Sequence, residues 1–276
     1  MADALVSSFE GVWGDIIALC DGLTDEQWAL PTDCPGWSVQ DHIAHMIGTE
    51  RMFLGEQPDA GAIEAAAVED AAHVRNDIGK ANEQWIASYR SFSGKKVLDE
   101  FRAVTERRLD ALRALTGADW DREGFTPEGP GPYRVFMEIR VFDCWYHDQD
   151  IREALYRPGY FDGPVADLSI GRIPPKGLPY VVGKKAGAPP DSTVIFEVAG
   201  NPRLVAAVHV PPEGRAALLD TAPATATVAL IMDRRTFTRL AGGRWSGDQA
   251  RAAGGLRIEG DQELGNRVVD NMAFTI

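Results

Sequence analysis

This chain of 276 residues has few cysteines and lacks the sequence patterns typical of secreted proteins. Only three cysteines occur, at the irregular positions 20, 34 and 144, and there is no Asn-x-Ser/Thr sequon. Secreted disulfide scaffolds carry an even number of cysteines at regular spacing. The N-terminus also has no basic segment followed by an apolar one, which is the pattern of an export signal. These absences favour a reduced, cytoplasmic protein.

Positive charge and long apolar runs are also in short supply. Lys and Arg number 28 against 41 Asp and Glu, which gives a net charge of −13. The phosphates of nucleic acids and anionic membrane surfaces repel a protein with an excess of negative charge. The longest charge-free stretch, residues 221–232, has 12 residues, whereas a helix needs about 20 to span a bilayer. The sequence therefore predicts no nucleic-acid partner and no membrane partner.

Several enzyme motifs are missing as well. There is no Gly-x-Ser-x-Gly elbow, no Walker loop and no Gly-x-Gly-x-x-Gly turn. Residues 93–96 match Ser-x-x-Lys, but no supporting motif accompanies them, and we attribute the match to chance.

Apolar residues recur at helical spacing throughout residues 1–156. The patterns predict helices over 5–20, 24–28, 38–55, 95–115 and 133–155, and a further periodic segment over 78–89. Thr24 and Ser38 begin patterns that cap helix N-termini. Residues 56–76 are interpreted as a loop that leads into a helix. Four substantial helices with short connections predict an antiparallel four-helix bundle with up-down topology.

Composition changes after Tyr156. A Gly- and Pro-rich linker is predicted over 157–164, followed by a smaller α+β domain over 165–276. Its predicted helices cover 165–183, 233–240 and 261–271, and its predicted strands cover 192–198, 204–210, 225–232 and 256–259.

Histidine is almost as rare as cysteine, and three of the five histidines fall in two short segments. His42 and His45 share one helix face, and Asp143 shares a face with His147, because residues three or four apart differ by only about 60° or 40° around the axis. Two imidazoles and a carboxylate on facing helices are a donor set for Zn²⁺ or another divalent metal. Asp150 follows one turn later and is placed to orient His147. The same spacing also fits hydrogen-bonded core histidines and plain helix ion pairs.

Residues 31–45 (PTDCPGWSVQDHIAH) resemble the opening of the DinB-like bundle in the mycothiol-dependent maleylpyruvate isomerase family, and residues 140–152 (RVFDCWYHDQDIR) resemble its later helix. The resemblance implies a metal bound by His45, Asp143 and His147. The family more usually has Glu at the acidic position, and Asp shortens the reach by about 1.5 Å. The departure predicts either a closer approach of the two helices or weaker metal binding by Asp143.

The resemblance also implies roles for neighbouring residues. His42 lies outside the family's ligand pattern and is interpreted as supporting the ligands or as structural. Trp37 and Trp145 flank the two segments and are expected to wall the site.

Residues 237–245 and 256–264 resemble the sterol-carrier-protein-like domain that accompanies such bundles. The predicted fold is thus a DinB-like four-helix bundle followed by a smaller α+β sterol-carrier-like domain. Arg244 and Arg257, near Gly-rich turns, are candidates to bind a substrate carboxylate.

The leading hypothesis is a metal-dependent enzyme, with zinc as the expected ion, that uses mycothiol as a nucleophile in isomerisation or S-transfer on a small electrophile. One alternative is a non-catalytic protein that binds an apolar ligand in the sterol-carrier-like domain. Another is a thiol-independent DinB-like hydrolase or stress protein. The sequence does not indicate an oligomeric state.

Overall fold

The computed structural model describes residues 2–58, 74 and 76–274. The chain divides into two compact units, Met1–Gly159 and Tyr160–Ile276. That residues 1–156 and 165–276 fold as separate domains joined by a linker stays a prediction. Most of the predicted loop-to-helix segment 56–76 lies outside the described residues.

The regular elements described in the first unit are helices, apart from a small hairpin whose two strands have two residues each. Its elements are α1 Ala2–Cys20, α2 Asp25–Trp28, α3 Val39–Phe53, α4 Asp77–Tyr89, α5 Gly94–Arg113, α6 Gly117–Trp120, β1 Glu123–Gly124, β2 Gly131–Pro132 and α7 Tyr133–Ala154. The predicted helices agree with these bounds to within a few residues. Ser93, part of the Ser-x-x-Lys match, is the N-cap of α5.

A capping box fixes the start of α3. The Ser38 hydroxyl accepts a hydrogen bond from the Asp41 backbone N–H, and the Asp41 carboxylate accepts one from the Ser38 backbone N–H at 2.9 Å. Two N–H groups that the helix leaves without partners are thereby satisfied. Since the first turn is fixed, the directions of the side chains that follow on α3 are fixed too.

The apolar stripe predicted for α1 faces the core of the first unit. Each of its five members is no more than 3% exposed: Leu5, Phe9, Trp13, Ile16 and Cys20. Burial of this stripe stabilises the helix, because an amphipathic helix gains most of its stability from packing.

The direction of one helix departs from the predicted up-down order. Gln40, early in α3, donates hydrogen bonds to the backbone carbonyls of Tyr89 and Phe92, just before α5 begins. Glu50, late in α3, is ion-paired with Arg108, late in α5. The two helices therefore run in the same direction, and the expectation of a simple up-down bundle is wrong. The reason is α4, which returns the chain between them.

Gly48 of α3 makes room for α4. A Cβ atom at this position would overlap the Trp85 indole. We expect Gly48→Ala to destabilise the protein by about 1–3 kcal/mol through overpacking, although alanine normally favours a helix by about 1 kcal/mol. Gly14→Ala on the exposed side of α1, where nothing lies within 4 Å of a built Cβ, is the matched control and should be neutral or stabilising. Urea unfolding measures both, and equal stabilisation by both variants would contradict the close approach.

The second unit is a five-stranded sheet with helices. Its elements are α8 Pro164–Tyr180, a π-helical turn Val181–Lys185, β3 Thr193–Val198, β4 Leu204–His209, β5 Ala217–Leu219, β6 Val228–Met232, α9 Arg234–Ala241, α10 Gly247–Ala253, β7 Leu256–Gly260 and α11 Gln262–Asp270. The strand order is β5-β4-β3-β6-β7, with β3 and β6 parallel and the other pairs antiparallel. Sequence patterns missed β5 and α10, which are short. No helix in the described ranges combines the length and apolarity required to cross a bilayer.

Candidate metal centre

The three predicted ligands lie together where α3 faces α7. His45 Nε2 lies 3.2 Å from one Asp143 carboxylate oxygen, and His147 Nε2 lies 3.5 Å from the other. One ligand atom from each residue falls within 4.8 Å of the other two. Both histidines are buried, and the Asp143 side chain is 32% exposed.

This donor set fits a divalent metal. Two imidazole nitrogens and one carboxylate oxygen are a combination that Zn²⁺ takes in catalytic sites, with bonds of about 2.1 Å and hence about 3.4 Å between tetrahedral ligand atoms. Nε2 of each imidazole lies at about that separation from an Asp143 oxygen, and the two rings face different oxygens of the carboxylate. In addition, His45 Nδ1 is buried with no hydrogen-bond partner among the described residues. The close approach of α3 and α7 brings the Asp143 carboxylate to both imidazole rings, even though aspartate is shorter than glutamate.

A second cluster shares His147. Nδ1 of His42 lies 3.0 Å from Nδ1 of His147, and an Asp150 carboxylate oxygen lies 3.7 Å from the same His147 nitrogen. All three residues are buried, and their candidate ligand atoms also fall within 4.8 Å of one another. His147 is therefore contacted on both ring nitrogens, with Asp143 at Nε2 and His42 and Asp150 at Nδ1.

Burial and charge set the protonation of the three predicted ligands. Burial lowers the pKa of His45 to about 4, so its ring is neutral at neutral pH. For His147, burial lowers the pKa, but the carboxylates of Asp143 and Asp150 outweigh it and leave the pKa raised above its ordinary value. For Asp143, burial raises the pKa, but Arg140 and His147 outweigh it and hold the pKa well below its usual range. The site thus offers one carboxylate and one neutral imidazole, and His147 must give up a proton to act as a ligand.

A buried charge network supports Asp143 from behind. Arg140 is ion-paired with Asp143 and also donates to Glu50 at 3.0 Å, and Glu50 in turn accepts from Arg108 at 3.1 Å. Glu50, Arg108 and Arg140 are each at most 5% exposed in their side chains. Sequence reasoning missed this network. One signal was available, since Arg108 falls on the apolar face of α5, seven residues after Phe101.

Trp37 lies against all three imidazole rings. Its ring centroid is 5.3 Å from that of His42, 5.1 Å from that of His45 and 5.6 Å from that of His147. The indole N–H donates to a Glu83 carboxylate oxygen at 2.7 Å, which fixes the ring from α4. An aromatic ring held in this way shields one side of the donor cluster from water.

The remaining predicted site residues are Trp145, which the sequence predicts to wall the site, and two arginines of the second unit. Trp145 is two residues from both Asp143 and His147, so it lies about 160° around α7 from each, and its ring packs against Tyr146. That position does not support a wall role. In the second unit, Arg244 donates to the Gly242 carbonyl at 2.9 Å, and Arg257 is ion-paired with Glu259 and 65% exposed. A substrate role for either arginine stays a prediction.

Comparison with protein families gives two matches. Residues 9–152 match the family described as "Mycothiol maleylpyruvate isomerase N-terminal domain". Residues 186–272 match the "SCP-2 sterol transfer family". The first match spans both segments that carry the predicted ligands.

Similar proteins and structures were also found. An uncharacterised protein of Mycobacterium tuberculosis, in strains H37Rv and CDC 1551, is 26% identical over 142 residues, 51% of this chain. The match spans 52% of the length of these curated relatives. Crystal structures of the mycothiol-dependent maleylpyruvate isomerase and of a His-to-Ala mutant of it resemble the chain with a TM-score of 0.56, at 14% and 13% identity. Each comparison covers 94% of this chain and 93% of the other. The predicted fold class, a helical region followed by a smaller α+β region, is therefore confirmed.

Proposed function

Because the chain belongs to the mycothiol maleylpyruvate isomerase family, we propose that it is a divalent-metal-dependent enzyme that uses mycothiol as its nucleophile on a small electrophilic substrate. One observation carries the proposal: within the matched region, donor atoms of His45, Asp143 and His147 lie within 4.8 Å of one another. Zinc is the ion that this donor set favours.

All three ligands come from two neighbouring helices. They would therefore contact a metal from one side only. A site with three protein ligands keeps a position open, as catalytic rather than structural zinc sites do. A divalent cation held there would lower the pKa of a thiol bound to it, so that the thiol would release its proton to solvent at neutral pH.

The residues of the chain prepare this position. His45 is neutral and needs no deprotonation, since burial lowers its pKa to about 4. Arg140 holds the Asp143 carboxylate in place, and Trp37 covers the rings.

Two reaction classes share the same nucleophile. In isomerisation, the thiolate sulfur adds to a conjugated double bond, the resulting single bond rotates, and the thiolate leaves with the bonding electrons. In S-transfer, the carbon–sulfur bond persists and the neighbouring carbon takes a proton. The isomerisation is the reaction named for the structural relatives, so we propose maleylpyruvate-like substrates first.

A second candidate function is favoured by the match of residues 186–272 to the sterol transfer family. In that case the second unit carries an apolar ligand and the first unit is a scaffold. Such a protein requires no metal and no thiol.

Metal analysis together with thiol-dependent turnover tests the proposal. We expect one Zn²⁺ per chain after purification in zinc-containing buffer, and turnover of maleylpyruvate with mycothiol but not without a thiol. Where the ligand His45 is replaced, His209→Ala in the second unit is the control for loss of a histidine. A ring nitrogen of His209 lies 3.1 Å from the Thr193 hydroxyl oxygen. A chain without bound metal would favour the ligand carrier, and equal turnover without any thiol would favour thiol-independent chemistry.

A further inference from the structure

His42 is buried and both of its ring nitrogens have partners. Its Nδ1 lies 3.0 Å from Nδ1 of His147, and its Nε2 lies 2.8 Å from the Thr32 hydroxyl oxygen. The ring is 0% exposed. His42 therefore links a proposed metal ligand on α7 to the turn that precedes α3.

A metal on Nε2 of His147 selects one direction for these hydrogen bonds, and the contacts of Thr32 permit that direction. The Thr32 hydroxyl donates to a backbone carbonyl, that of Trp37 at 3.1 Å or that of Cys34 at 3.5 Å. A hydroxyl proton directed at a carbonyl leaves the Thr32 oxygen as an acceptor. That oxygen accepts from the Cys34 backbone N–H at 3.2 Å and, in this arrangement, from Nε2 of His42 at 2.8 Å.

The remaining proton positions follow from this one. A neutral imidazole carries one proton, so His42 with its proton on Nε2 presents a lone pair on Nδ1. The facing Nδ1 of His147, 3.0 Å away, must carry the proton of that hydrogen bond. Once His147 is neutral, it is thus left with a lone pair on Nε2, the nitrogen that faces Asp143.

Asp150 is the other group near Nδ1 of His147. Its carboxylate oxygen is 3.7 Å away, beyond the usual 2.7–3.2 Å of an N–H···O hydrogen bond. The nearer acceptor is His42, so the hydrogen-bond partner that usually comes from a carboxylate or a carbonyl is here a second histidine.

We propose that His42 is a positioning residue that holds His147 in the Nδ1-protonated tautomer, with Nε2 free to bind the metal. This inference rests on the proposed function, because it assigns His42 a role toward the same metal. The chain Thr32–His42–His147 ends on a backbone carbonyl, so reversing its direction removes the hydrogen bond from Thr32 to that carbonyl.

Zinc affinity of a set of variants tests the proposal. His42→Leu removes the acceptor with little change in volume and should weaken Zn²⁺ binding about 10–100-fold, the usual effect of losing the partner of a ligand histidine. His42→Asn keeps an acceptor oxygen near the Nδ1 position and should recover most of the affinity. His209→Leu is the matched control, and its affinity should equal that of the wild type. Competition with a chromophoric chelator measures all four proteins.

A second measurement reports the tautomer directly. ¹⁵N NMR of the Zn²⁺-loaded wild type should show His147 protonated on Nδ1 and His42 protonated on Nε2. Should His42→Leu fail to fold, Thr32→Val serves instead, since it removes the acceptor of the His42 proton at a half-buried position and should also weaken Zn²⁺ binding.

The outcomes separate this inference from the proposed function. Zinc binding by the wild type with unchanged affinity in both His42→Leu and Thr32→Val would overturn the inference alone. A stoichiometry of two ions that falls to one in His42→Leu would also overturn it, because His42 would then be a ligand of a second ion. A wild type that binds no zinc would overturn the inference and the proposed function together.

Discussion

His45→Ala is expected to bind Zn²⁺ about 10²–10³-fold more weakly than the wild type and to lose thiol-dependent turnover to a similar extent. Structural zinc sites with four ligands bind with about 10–16 kcal/mol, which is about 3 kcal/mol for each ligand. Because 1.4 kcal/mol corresponds to a tenfold change, losing one ligand removes two to three orders of magnitude. Zinc competition titration and turnover assays measure the two effects.

His45 is an informative ligand to replace because, unlike His147, it belongs to one cluster only. The second cluster of His42, His147 and Asp150 remains intact in His45→Ala. A variant that kept wild-type zinc affinity would place the metal in that second cluster. Circular dichroism of the variant, together with His209→Ala carried through the same titration, separates loss of a ligand from loss of the fold.

Glu50→Ala is expected to destabilise the protein by about 3–5 kcal/mol. Glu50 is fully buried and is ion-paired with Arg108 and Arg140, which are themselves buried. Removing the carboxylate leaves the buried Arg108 without a counter-charge and leaves Arg140 with Asp143 alone, and breaking a buried pair in this way costs several kcal/mol. Urea unfolding followed by tryptophan fluorescence suits this test, because six of the seven tryptophans lie in the first unit.

An exposed ion pair provides the matched control for Glu50. Glu10 of α1 is paired with Arg113 of α5, and both side chains are at least 42% exposed. Exposed pairs contribute about 0–1 kcal/mol, so Glu10→Ala should have little effect. If Glu50→Ala and Glu10→Ala had the same small effect, the buried network would contribute nothing to stability.

Local patterns predict most helix bounds in this chain. Ser38 and Thr24 begin capping boxes in the structure as their sequence patterns indicate, and the apolar stripe of α1 is buried. These features depend on residues three or four apart, which a sequence displays directly. The candidate ligands were found in the same way, with the family resemblance choosing among them.

Features that depend on contacts across the fold were not predictable. Helical periodicity shows which face of α5 is apolar but not in which direction the helix runs, so the parallel pair of α3 and α5 was missed. The partners of Glu50 lie 58 and 90 residues away along the chain, and no spacing rule connects them. The same holds for His42, whose partner on α7 is 105 residues distant.

The helix order also affects how many residues can separate the ligands along the chain. The contact of Gln40 with Tyr89 closes a loop of 49 residues, and that of His45 with Asp143 closes one of 98. Each doubling of loop length adds only about 0.6 kcal/mol of closure entropy. The long separation between the ligands is therefore a small thermodynamic burden, and related chains are free to lengthen or shorten the loops between the helices while keeping the same three donors.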